Sequence, residues 1–133
     1  MELRDTTKRY FIDGPYNCAE STLLIARDEL GLPVTDAIVH ALGAFGGGMG
    51  CGETCGAIAG GCAAIGCTLI EVAAHKSPAA RLAAAAFTRR FLDKYGTLRC
   101  EQLKERCFKP DIRCGELVEE AVGCLKEALK ENS

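Results

Sequence analysis

The chain has 133 residues, with 16 basic against 18 acidic side chains, nine cysteines, two histidines and no tryptophan. That length suits one core, so a single helical cysteine-rich domain spanning residues 1–133 is expected. The near-neutral balance, with no basic stripe interleaved with aromatics, argues against a nucleic-acid partner.

Leu3 to Ile12 can form a short amphipathic helix, stopped by the turn signal Asp13-Gly14-Pro15. Asn17 reads as an N-cap, with Glu20 at the capping-box position, for a helix from Cys18 to Leu30 that Gly31 and Pro33 close. Thr35 caps a third helix, Asp36 to about Phe45, with Ile38, Leu42 and Phe45 on its buried face and Val39 and His40 towards its flank. A glycine loop, Gly46 to Gly52, then leads into a central helix from about Thr54 to Ala74. Glycine, alanine and cysteine cover most of that helix, and only Ile58, Ile65, Leu69 and Val72 make a bulky ridge.

Glycine costs a helix about 1 kcal/mol per site relative to alanine, so Gly56, Gly60, Gly61 and Gly66 require neighbours packed close to the backbone. The uncharged interval Thr54 to Ile70 is too short and too rich in small residues for a membrane span. Ser77-Pro78 opens a fifth helix, Pro78 to Tyr95, anchored by Leu82, Phe87, Phe91 and Leu92 and ended by Gly96. Thr97 caps a short helix through Cys107, Pro110 breaks it, and Asp111 starts the last helix, Ile112 to about Lys130. No run alternates with period two long enough for a strand. The expected class is all-α, a compact bundle of five or six helices around the central Gly/Ala/Cys-rich helix.

The charged N-terminal stretch lacks an apolar signal region, which places the chain in the cytoplasm. In a reducing compartment dense cysteine points to metal, catalytic or redox chemistry rather than a disulfide scaffold. Cys62, Cys67 and Cys124 lie in apolar helical runs and read as small buried hydrophobes. Cys18, Cys55, Cys100 and Cys114 fall instead in the first turns of four predicted helices. Free amides and the helix dipole there favour an anion and lower a thiol pKa, and Arg99 and Arg113 immediately precede two of the four.

The stretch Asn17-Cys18-Ala19-Glu20, the GGGMG loop leading into Cys55-Gly56-Ala57-Ile58-Ala59-Gly60, then Cys100, and Cys114-Gly115-Glu116-Leu117-Val118 together resemble the signature of the C_GCAxxG_C_C family. Thr54 departs from that signature, which has glycine before the second cysteine. The resemblance implies a redox role and makes Cys18, Cys55, Cys100 and Cys114 the site residues, without defining a substrate.

Three functions follow from these residues. In the first, a thiol oxidoreductase or electron-transfer protein, Cys55 attacks an electrophile and Cys18 resolves the mixed intermediate; no CxxC pair exists, so the fold must bring the partners together. In the second, Cys18, Cys55, Cys100 and Cys114 are four thiolate ligands of zinc or an iron–sulfur cluster. In the third, the protein is a non-enzymatic homodimeric assembly module whose small-residue faces dock a second copy. The loop GGGMGCGET suggests an anion cradle only weakly, since no strand precedes it and no GKS or GKT follows. His40 and His75 read as surface helical residues, and Glu53 is the carboxylate placed to influence Cys55.

Overall fold

The computed structural model describes residues 1–132. It is all-α, with no strand among the described residues. Seven α-helical segments are present rather than five or six: α1 (Asp5–Thr7), α2 (Cys18–Leu30), α3 (Asp36–Ala41), α4 (Gly56–Leu69), α5 (Pro78–Tyr95), α6 (Cys100–Cys107) and α7 (Gly115–Asn132). The larger number includes two short segments, α1 of three residues and α6 of eight. No helix among the described residues is long and apolar enough to cross a membrane.

Helix α2 packs against α4, and α5 against α7, while α4 also touches α5 and α7. The α2–α4 crossing is made by glycine. A Cβ on Gly60 would lie 2.5 Å from the Ala19 carbonyl oxygen, and one on Gly56 would lie 2.3 Å from the Cys18 sulfur. On the adjoining side of α4, the Phe87 ring of α5 occupies the place where a Gly61 side chain would stand. These glycines recover their conformational cost through contact between neighbouring elements and the helix backbone. The small-residue faces at Gly56, Gly60 and Gly61 are thus filled within the chain.

Leu23, Ile65, Phe87, Phe91, Leu103 and Leu125 are fully buried and make up much of the core. Phe87 and Phe91 anchor α5 as expected, whereas Leu82 and Leu92 face outward. Leu42 is buried as expected and Ile38 half-buried, but flanking Val39 is buried as well and Phe45 is exposed, because α3 stops at Ala41 and gives way to a tighter turn over Gly43–Phe45. Helix α4 ends at Leu69, five residues before the expected Ala74. Ile70 is extended, Val72 is exposed, and His75 lies exposed in a separate turn, Ala74–Lys76.

A second, smaller cluster of Phe11, Ile25, Val118 and Val122 sits under the N-terminal segment, with Cys18 and Cys114 packed at its edge. The segment is held there by Glu119. Its carboxylate accepts from the Arg4 amide at 2.9 Å, the Arg4 guanidinium at 2.7 Å and the buried Thr7 hydroxyl.

Candidate functional site

Cys18 is the first residue of α2. Asn17 caps that helix: its Oδ1 accepts from the amides of Ala19 at 3.1 Å and Glu20 at 3.0 Å, and Glu20 accepts from the Asn17 amide in return. The Asn17 amide group also donates to the Gly43 carbonyl at 2.7 Å, which ties the start of α2 to the strand of chain entering the glycine loop.

The loop itself winds left-handed through Gly47, Gly48, Met49 and Gly50. Gly48 is fixed by contact as well as by φ, since a Cβ there would stand 2.7 Å from Cβ of Cys100. Cys51 is exposed on this loop, outside the cluster.

Cys55 and Cys100 are joined through the backbone. The Cys55 amide donates to the Leu98 carbonyl at 2.7 Å and the Cys100 amide to the Glu53 carbonyl at 2.5 Å, a short bridge between Thr54 and Arg99. This bridge moves two predicted helix starts. Cys55, not Thr54, is the N-cap of α4, and α6 begins at Cys100 rather than being capped by Thr97, whose hydroxyl accepts from the Arg99 amide at 3.1 Å instead.

The last helix starts late for a similar reason. Lys109 and Arg113 exchange backbone hydrogen bonds of 3.1 and 2.5 Å in a tight hairpin, with Arg113 at φ 51°, so α7 opens only at Gly115. The Cys114 carbonyl receives the Leu117 and Val118 amides at 3.0 and 3.3 Å. All four cysteines therefore stand at helix starts, at the capping or first position.

They are also gathered. Cys18, Cys100 and Cys114 line one cavity of about 200 Å³, together with Phe11, Asn17, Gly47, Lys104, Phe108 and Arg113. Cys55 lies behind this cavity and is only 4% exposed, close enough to Cys18 and Cys100 for their charges to act on it.

Burial reverses the expected acidity. The Cys55 thiol is pushed up to about 12, first by desolvation and then by the neighbouring Cys18 and Cys100, although the Ala57 and Ile58 amides face it and oppose the shift. Cys114 is pushed up to about 11 by burial and by Cys18 and Cys100, and Cys100 is raised by burial and then by Cys18 and Glu101; Lys104 acts against the shift on both. The helix-start amides are present, but for these three thiols loss of water outweighs them.

The arginines expected to assist are otherwise engaged. Arg99 turns outward to Glu53 at 3.4 Å and Glu101 at 3.6 Å, so the Glu53 carboxylate is also directed away from Cys55. The Arg113 guanidinium stacks 4.8 Å from the Phe11 ring and donates to the Phe11 and Ile12 carbonyls. Lys104 was not singled out by the sequence reading. The signal was there, because a residue four after Cys100 lies one helical turn further along the same face. Neither histidine lines the cavity, and both are exposed.

The four thiols have the donor chemistry of a zinc or iron–sulfur site. Yet among the described residues no group of three or more Cys, His, Asp or Glu side chains is drawn together to hold a metal ion.

A buried neutral thiol leaves a mark on stability. Between its ordinary pKa of 9.0 and about 12, native Cys55 keeps a proton that the unfolded chain has lost, so its contribution is complete below that window and falls as pH rises through it. The loss amounts to about 4 kcal/mol at the top of the window. Urea midpoints followed from neutral to alkaline pH should decline more steeply in the wild type than in Cys55→Ser, and equal slopes would refute this account.

The fold and the site define a small all-α protein whose helix starts gather cysteine thiols around one cavity. The chain belongs to the family described as "Putative redox-active protein (C_GCAxxG_C_C)", whose model matches residues 16–128. No match was found among curated proteins or among solved structures.

Proposed function

We propose that this protein is a thiol-based oxidoreductase that reduces small disulfides in the cavity lined by Cys18, Cys100 and Cys114. The observation that carries the reading is the convergence of three thiols, from three separate helix starts, on one opening. It supports Cys18, rather than Cys55, as the attacking thiol. Cys55 is sealed and strongly protonated, whereas the Cys18 sulfur borders the cavity, packed where a Gly56 side chain would stand.

In the first step the Cys18 thiolate forms a bond to one substrate sulfur, the substrate S–S bond breaks, and the leaving thiolate takes a proton. Cys100 or Cys114 then attacks the Cys18 sulfur and expels the second substrate thiol. The protein is left with one disulfide, oxidised by two electrons, and the substrate has become two thiols. A cellular thiol reductant must restore the dithiol.

Reduced protein given a limiting small disulfide under anaerobic conditions should release two product thiols for each protein disulfide formed. Peptide mapping should place that disulfide among Cys18, Cys100 and Cys114. Absence of released thiol, or a disulfide confined to Cys51 or Cys124, would refute the proposal. Stoichiometric metal with these thiols protected would favour the cluster alternative.

A further inference from the structure

Given the cavity-thiol reading, on which this inference rests, we infer that the cavity selects anionic substrates, namely small disulfides carrying carboxylates, and that Lys104 sets this preference. No acidic residue lines the cavity, whereas Lys104 and Arg113 both do. Each cation stands beside an aromatic wall: the Arg113 guanidinium lies 4.8 Å from the Phe11 ring centre, and the Lys104 ammonium 5.7 Å from that of Phe108.

The two cations differ in what they have left to offer. Arg113 spends donors on the Phe11 and Ile12 carbonyls, so it holds the wall in place. Lys104 makes no salt bridge among the described residues. Salt bridges engage Glu53 and Glu101, the carboxylates on the neighbouring stretches, with Arg99 outside the cavity lining. Lys104 is also one helical turn beyond Cys100, so its ammonium stands near the reacting sulfurs with its charge uncompensated.

A carboxylate two methylenes from the substrate S–S linkage would reach Lys104 while the linkage meets Cys18. Its negative charge is attracted in a partly desolvated site, where a pairwise interaction exceeds its value in bulk water. An ammonium in the same place is repelled and loses hydration. The bonds made and broken are those of the exchange above, and Lys104 takes no part in them: it positions substrate.

The test compares three disulfides of similar size: dithiodipropionate, with two carboxylates, bis(hydroxyethyl) disulfide, which is neutral, and cystamine, with two ammoniums. Initial rates of thiol release are measured at neutral pH and low ionic strength. Each is divided by the rate of the same disulfide with a free thiol, which removes intrinsic reactivity. The expected order is anionic over neutral by about tenfold and over cationic by about 100-fold, shrinking as salt is added.

Lys104→Gln should flatten the series, through KM more than kcat, and Lys104→Glu should invert it. Lys104 is exposed on α6, so neither change threatens the fold. Equal normalised rates in the wild type, or a preference unmoved by Lys104→Glu, would overturn the inference while leaving the thiol chemistry standing. No thiol release from any of the three would overturn the cavity-thiol reading itself.

Discussion

Cys18→Ser is expected to lower the rate of thiol release from a small disulfide by about 100-fold or more, because a serine hydroxyl is not ionised at neutral pH and is a far poorer nucleophile than a thiolate. The substitution is sterically mild. The side chain shrinks slightly at a position where the sulfur touches Gly56, and the Asn17 capping box that starts α2 remains intact. Loss of activity with an unchanged far-ultraviolet spectrum and urea midpoint would then report chemistry rather than unfolding.

Cys51→Ser is the control. Cys51 is the exposed cysteine, yet it sits on the left-handed loop away from the cavity lining, and its removal should leave the rate within about twofold. If Cys18→Ser also stays within about threefold of wild type, the assignment of Cys18 as nucleophile is wrong.

Gly60→Ala is expected to destabilise the fold by about 3 kcal/mol, although alanine is the better helix former by about 1 kcal/mol. The added Cβ would stand 2.5 Å from the Ala19 carbonyl oxygen and 3.1 Å from the Thr22 Cβ. A backbone carbonyl inside a helix cannot rotate away, so α2 and α4 must separate. The paired control is Gly123→Ala in α7, where nothing lies within 4 Å of the new Cβ, and there the helix propensity should appear as a gain of up to about 1 kcal/mol.

Opposite signs in urea unfolding would confirm that contact distance, rather than glycine content, governs α4. Destabilisation of less than about 1 kcal/mol by Gly60→Ala would refute the close α2–α4 approach. Because Ala19 follows Cys18 directly, the same substitution should also displace the thiol and slow its reaction.

Capping chemistry made much of the fold legible. Asn17 with Glu20 and Thr35 with the amide of Ile38 each specify a helix start through side-chain capping, and first-turn Pro78 and left-handed Gly96 bound α5, so α2, the start of α3 and all of α5 follow from local sequence. The starts of α4, α6 and α7 did not. They are fixed by the pairing of Thr54 with Arg99, 45 residues apart in sequence, and by a hairpin that consumes Lys109 to Arg113. A backbone hydrogen bond between distant segments carries no side-chain signature at either end.

What the sequence by itself determined was the all-α class, the glycine-lined central helix and the placement of Cys18 at the capped start of α2, because propensity, capping and period are local properties. Only the tertiary structure decided which thiols share an opening, that Cys55 lies behind it, and that Lys104 rather than Arg99 supplies the free cation. The physical reason is desolvation: a thiol's acidity and reach depend on how much water its neighbours exclude, and those neighbours come from helices the linear order does not juxtapose.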